Sequence, residues 1–289
     1  MTTTALALIT LLWGMAPVAT QAIVANQAPL PSPTSAEFSN RIRQSVRLDY
    51  QVQADYTYVE RRRDVKISRL GKVTVGPMRT FHVLPSPVSG QTYKRLIAVD
   101  DKPLSAEELA KYDAEHAADI REEQARQARE TPSERAERLE RSTREQRERD
   151  AILEDAFRAY DALIERRDIV DGLPVLVARM TPRKDPQVTT REGRWMSHFE
   201  GHLWVAEADY QIVKVDMRAT SDVTIGWGVV GRIQKGTRVL YVRRRIDNAW
   251  LPVETTYEAS GRTLIFRPFQ FSLTTTYSDY RRRGKNVTD

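Results

Sequence analysis

The residues best suited to chemistry are few and scattered. His198-Phe199-Glu200-Gly201-His202 sets three potential metal ligands at i, i+2 and i+4. On a helix the two histidines would be neighbours, but the segment reads as strand or loop, where they lie about 13 Å apart at about 3.3 Å per residue. One ion cannot span that. Gly226-Trp227-Gly228-Val229-Val230-Gly231 has the spelling of a dinucleotide-binding loop. That loop works only where a helix opens on it and turns its N–H groups to a pyrophosphate. Here a turn and the strand-like run Val239-Leu240-Tyr241-Val242 follow, so the glycines read as a bend in a curved sheet. There is no Gly-x-Ser-x-Gly elbow and no Walker loop, and Ser, His and Asp show no informative spacing. The chain has no cysteine, which excludes a disulfide, a thiolate nucleophile and Cys-ligated zinc. The residues therefore predict no enzyme, no metal and no cofactor.

Charge is the next signal. Three arginine triplets stand out, Arg61 to Arg63, Arg243 to Arg245 and Arg281 to Arg283. In a strand, alternation splits each triplet between two faces, so none makes a contiguous patch by itself. The net charge of +6 is unevenly spread: from Ser105 to Arg167 there are 13 basic and 18 acidic residues, so the rest of the chain is strongly basic. A basic sheet suits an anionic membrane surface as a partner, while an exported chain gives no reason to expect nucleic acid.

The elements that must position these residues come from periodicity. From about Trp195 to Tyr280, runs such as Leu203-Trp204-Val205-Ala206, Ile212-Val213-Lys214-Val215-Asp216-Met217 and Phe269-Gln270-Phe271-Ser272-Leu273 alternate as half-buried antiparallel strands do. Glu207-Ala208-Asp209-Tyr210 is a hairpin turn between the first two. Further strands are predicted within Tyr56 to Leu70 and at Met78 to Leu84, Tyr93 to Val99, Arg167 to Val170, Pro174 to Thr181, Val223 to Ile225, Val239 to Arg245, Val253 to Ala259 and Thr263 to Tyr277. Pro268 is expected to mark a bulge or an edge. Asp171-Gly172 is a turn, and Pro182 to Arg194 a polar connection.

Helices start at three capping boxes. Thr34-Ser35-Ala36-Glu37 opens one reaching about Arg47, with Phe38, Ile42 and Val46 on one face; Ser105-Ala106-Glu107-Glu108 opens one reaching about Arg129; Thr131-Pro132-Ser133-Glu134 opens the third. The third is nearly all Arg and Glu at first. It then carries the stripe Leu153, Ala156, Phe157, Tyr160, Leu163, Ile164, the only end that can dock firmly on a core. A hydrophobic content of 40% suffices for a packed core, and a mean hydropathy of −0.53 argues against an integral membrane protein beyond the N-terminus.

No charged side chain precedes Glu37, and Leu6, Leu8, Ile9, Leu11, Leu12 and Trp13 form an apolar core followed by small residues. This reads as a secretory signal within residues 1–28, cleaved near Ile23 or between Asn26 and Pro29. Retention as an uncleaved anchor is the alternative.

Asp171-Gly172-Leu173-Pro174-Val175-Leu176-Val177, with Gly201-His202-Leu203-Trp204-Val205 through Asp209-Tyr210-Gln211-Ile212-Val213-Lys214-Val215, resembles the bacterial outer-membrane lipoprotein-sorting-like proteins. These are relatives of the LolA and LolB carriers and of the N-terminal domain of RseB. The resemblance spans about Tyr56 to Val99 and Ile169 to Tyr280. It implies an α+β fold, a curved antiparallel β half-barrel covered by helices, whose apolar cavity accepts lipid or lipoprotein acyl chains in the periplasm or cell envelope, for transport or sensing. The stretch 29–104 and the stretch 168–289 would then share one sheet. Residues 105–167 form a charged two-helix insertion that the small carriers lack. The rival expectation is an envelope module that binds a protein partner through the sheet or the insertion without carrying lipid.

The expected cavity wall follows from the hairpin. A loop of two or four residues puts Trp204 on the same face as Val213, Val215 and Met217, whereas three residues would bring Leu203 and Val205 there instead. The first register is adopted, with Trp227, Phe269 and Phe271 added on the concave side. Ordinary core packing is the other use these seven side chains could have.

Overall fold

A computed structural model describes residues 33–49, 55–67, 73–85, 92–225, 231–262 and 268–282; the expected leader lies outside them. Thirteen strands and four helices follow in the order α1 (Ser35–Asp49), β1 (Tyr56–Ile67), β2 (Val73–Pro85), β3 (Thr92–Val99), β4 (Lys102–Pro103), α2 (Ala106–Ala128), α3 (Pro132–Ala159), β5 (Tyr160–Val170), β6 (Leu173–Pro182), α4 (Arg191–Met196), β7 (Phe199–Ala206), β8 (Ile212–Ala219), β9 (Val223–Ile225), β10 (Gly231–Ile233), β11 (Arg238–Ile246), β12 (Ala249–Arg262) and β13 (Pro268–Arg282). Eleven strands form one antiparallel sheet in the order β4-β3-β2-β1-β13-β12-β11-β8-β7-β6-β5, and β9 and β10 form a separate two-stranded ribbon. The sheet does not close, since β4 and β5 are its two edges. Six of its ladders carry a register shift, and such bulges bend a sheet and increase its twist. The class is α+β, an open curved sheet with helices.

The helices begin where capping chemistry puts them. Thr34 Oγ1 accepts from Glu37 N at 3.2 Å while Thr34 N donates to the Glu37 carboxylate at 2.9 Å. Ser105 with Glu108, and Thr131 with Glu134, repeat this reciprocal pair at α2 and α3. Phe38 and Ile42 of α1 are buried against Leu176, Ala178, Leu203 and Val205 of β6 and β7. The same helix is tied to the β7–β8 turn, where Ser45 Oγ donates to the Tyr210 carbonyl at 2.8 Å. One sheet face is therefore the α1 face, and alternation sends Val175, Val177, Ala206 and Trp250 to the opposite one.

Two sequence expectations change and a third holds. The helix predicted to run through Ile164 stops at Ala159, and Tyr160 takes extended dihedrals. Tyr160, Ala162 and Ile164 fit a strand of period two as well as a helical stripe, and pairing with β6 settles it. Pro268 is the first residue of β13 and pairs with Arg262 of β12, while pairing of β13 with β1 runs only from Thr276 to Arg282, so among the described residues the proline sits on a one-sided stretch of strand, as the expected edge requires. The polar connection before His198 contains the short helix α4, capped by Thr190, whose side chain accepts from Gly193 N.

α4 is held by a buried acid. Asp155 of α3 has 0% of its surface exposed and accepts from Thr190 N at 2.6 Å and Thr189 N at 2.8 Å. Gly193 must lack a side chain, because a Cβ there would stand 2.6 Å from the Asp155 carboxylate. Burial alone would raise the Asp155 pKa, but the donors from Thr190 and Thr189 outweigh it and hold the group below the usual carboxylate range. A depressed carboxylate contributes stability that is present above its unfolded value of about 3.9 and lost as pH falls through the folded one. Asp155→Ala should cost about 2–4 kcal/mol in chemical denaturation at pH 7. The difference from wild type should shrink as the pH is taken below about 4. An equal cost at pH 7 and pH 3 would contradict the assignment.

Candidate ligand-binding face of the sheet

The β7–β8 hairpin decides what faces a ligand. Ala206 N donates to Gln211 O at 2.9 Å, which closes a loop of four residues, as the expected register requires. The ladder then shifts between Trp204 and Val205: Val205 pairs with Ile212, but Trp204 pairs with Lys214. Val213 is the extra residue. Beyond it the faces exchange, so Val215 pairs with Leu203 and lies on the α1 face, as does Met217, while Trp204 and Val213 go to the opposite one. The expected wall of Trp204, Val213, Val215 and Met217 is thus split in two. The Trp204 ring carries the Lys214 ammonium 4.4 Å from its centroid. Trp227 lies outside the described residues. Phe269 and Phe271 pair with Gly261 and Ala259 in the ladder, and their side chains are outside the description.

Following the α1 face across the ladders identifies a second region that sequence reasoning missed. Met217 pairs with Val239, and Val215 with Tyr241. Val239 in turn pairs with Tyr257, Tyr257 with Leu273, and Tyr277 with Glu60. Glu60 faces Phe81, and Tyr58 faces Val83. A second bulge brings Tyr280 into the same layer, 5.1 Å from Tyr58 between ring centroids. The result is a floor of aromatic rings across β11, β12, β13, β1 and β2. Its packed clusters, among the described residues, contain strand side chains and none from α1 to α4. Each tyrosine was visible in the sequence, but pairing between strands distant in the chain brings them together.

The phenols of this floor stay neutral. Burial pushes Tyr241 up to about 12, with Tyr277 adding to it, and burial likewise raises Tyr257, Tyr277 and Tyr280. A neutral tyrosine offers an apolar ring and a hydrogen-bonding tip. Amid the rings sits Glu60, 2% exposed, its two carboxylate oxygens taken by Lys94 Nζ at 2.7 Å and Arg62 Nη1 at 3.3 Å.

Reactive constellations do not assemble from the residues first considered. His198 Nδ1 contacts Ser221 Oγ at 2.7 Å and His202 Nε2 contacts Glu165 at 3.2 Å, so the two imidazoles serve separate partners. Among the described residues no three His, Asp or Glu are placed to hold a metal ion. Gly231, the last of the glycine motif, opens strand β10 rather than a helix; residues 226–230 lie outside the description. Of the arginine triplets, Arg243 is buried and donates to the Trp250 and Ile212 carbonyls, Arg244 pairs with Asp171 at 2.8 Å, and Arg61 pairs with Asp101.

The register makes a stability prediction. Leu203 is buried in the core against α1, and Trp204 is half-buried on the opposite face. Leu203→Ala should cost about 2–5 kcal/mol. Trp204→Ala, although it deletes a larger side chain, should cost only about 1–2 kcal/mol. Urea unfolding of both variants checks the order, and the reverse order would mean that the faces are exchanged.

No family model and no curated protein matches the chain. Solved structures similar to it include a LolA superfamily protein from Nitrosomonas europaea, at 10% identity over 88% of this chain and 95% of that one, with a TM-score of 0.30. A domain described as an outer membrane lipoprotein-sorting protein, from Vibrio parahaemolyticus, matches at 10% identity over 88% and 95%, TM-score 0.32. MucB, solved in complex with MucA, matches at 10% identity over 86% and 99%, TM-score 0.22. Two of the three carry the lipoprotein-sorting or LolA name that the sequence resembles, and at these values the likeness carries no function across.

Proposed function

We propose that the chain is a non-enzymatic cell-envelope protein that binds lipid or lipoprotein acyl chains on the α1 face of its open sheet. The observation that supports this reading is the floor of Tyr58, Phe81, Tyr241, Tyr257 and Tyr277, with Leu273 between the rings, which continues the α1 face past the point where α1 covers it. The rings offer an acyl chain a broad apolar surface, while the Tyr280 hydroxyl at its margin donates to the Pro252 carbonyl at 2.6 Å. Val215 and Met217 join this floor to the helix-covered half, and Phe269 and Phe271 remain candidates at its far end.

A second reading has one observation in its favour: α2 buries none of its 23 residues and leaves Tyr112 exposed. A helix of that length with no buried side chain suits a protein partner in the envelope.

Native mass spectrometry of the full chain, released gently from its own envelope, separates the two. The acyl-binding reading expects adducts with lipid or acylated-peptide masses. Tyr257→Asp or Tyr277→Asp, each placing a charge in the floor, should reduce adduct retention at least about tenfold, as expected where a carboxylate is desolvated. Trp204→Ala should retain them. Protein that carries a polypeptide partner and no lipid would overturn the acyl-binding reading and support the second.

A further inference from the structure

We infer that the Tyr241 hydroxyl is the polar anchor of the acyl-binding face, and that the ligand is an uncharged acyl ester or amide whose carbonyl it holds. The inference rests on the acyl-binding reading and adds the residue that selects the ligand class. Tyr241 lies on the α1 face between Val215 of β8 and Thr255 of β12. Val215 packs against the cluster that contains Phe38 of α1, so Tyr241 stands where the helix-covered half gives way to the rings. Other phenols of the floor are turned to groups of the protein. Tyr280 Oη donates to the Pro252 carbonyl at 2.6 Å, Thr255 sets its hydroxyl toward that of Tyr277, and Thr237 toward that of Tyr257. Tyr241 differs: among the described residues no side chain or carbonyl takes its hydroxyl, and the oxygen is not sealed in the core.

Packing does not account for this hydroxyl. A Phe would fill the same space without the cost of a half-buried polar atom that the fold leaves unbonded. What the hydroxyl offers is one neutral donor, because burial raises the phenol to about 12 and it keeps its proton throughout the physiological range. One such donor matches one neutral acceptor. A carboxylate or phosphate drawn from water onto apolar rings needs a cation or several donors to offset its desolvation, whereas an ester or amide carbonyl needs a single hydrogen bond. A chain leaving a carbonyl held at Tyr241 has Tyr257 of β12 and Tyr277 of β13 to lie on. An ether-linked chain would find the same rings but bring no carbonyl to the donor.

The test compares two probes that differ only in that carbonyl, monododecanoyl glycerol and its ether counterpart monododecyl glycerol, each below its aggregation concentration, binding to the full-length protein by calorimetry. The wild type should prefer the ester by about fivefold to tenfold, as one hydrogen bond allows. Tyr241→Phe should abolish that preference. Its melting temperature should match the wild type's, because the hydroxyl has no protein partner to lose, whereas Tyr280→Phe, which loses the bond to Pro252, should melt lower. Equal binding of ester and ether by the wild type, or an ester preference that survives in Tyr241→Phe, would overturn the anchor and leave the acyl-binding reading standing. A lower melting temperature for Tyr241→Phe would mean that the hydroxyl is bonded within the protein, and would overturn the anchor as well. Binding of neither glyceride would overturn the acyl-binding reading too. Dodecanoate bound more tightly than the ester would overturn the neutral class in favour of a fatty-acid anion.

Discussion

One extra residue in β8 controls which side chains can meet a ligand. Side chains alternate along a strand, so an unpaired residue exchanges the faces of everything beyond it. With Val213 unpaired against β7, Leu203 and Val215 share the α1 face and Trp204 takes Lys214 on the other. The consequence travels through the ladders. Val215 selects Tyr241, Val239 selects Tyr257, and Tyr257 selects Leu273, until the face reaches Glu60 on β1. Further bulges in β1 and β13 complete the selection; the last puts Tyr277 and Tyr280 in one layer.

The helices divide this face into a packed half and a phenolic half. α1 closes the first with Phe38 and Ile42, and its hold on the Tyr210 turn fixes the hairpin that contains the bulge. α3 reaches the same region through Asp155, a fully buried acid whose backbone donors come from the loop before α4. α2 docks elsewhere. Its Asp113 takes a two-pronged ion pair from Arg95 and its His116 stacks on Tyr93, both on the face of β3 that alternates away from Lys94 and Leu96. The charged helices therefore leave the Glu60 side of β3 to the strands.

Local chemistry was legible in the sequence, and long-range pairing was not. The three capping boxes start helices where their spelling says, because the pair is made within four residues. β9 and the Asp171-Gly172 turn also stand where the residues put them. The hairpin shows the limit: its loop length was readable, but the bulge was not, since Val213 differs in no local way from its neighbours. The tyrosine floor was invisible for a related reason. Tyr58 and Tyr277 are more than two hundred positions apart and meet only when β13 pairs with β1. Glu60 gave no signal in the sequence, because no spacing reveals that Lys94 comes in from the second strand over.

The central claim is that the ligand lies on the α1 face across β11, β12, β13 and β1. Photo-crosslinking with an amphiphile bearing a diazirine midway along its chain, followed by peptide mapping, tests it most directly. The account predicts adducts at Tyr241, Tyr257 and Tyr277 that disappear in the presence of excess unlabelled amphiphile. Competed adducts at Trp204 or Val213 on the opposite face, or along α2, would contradict it.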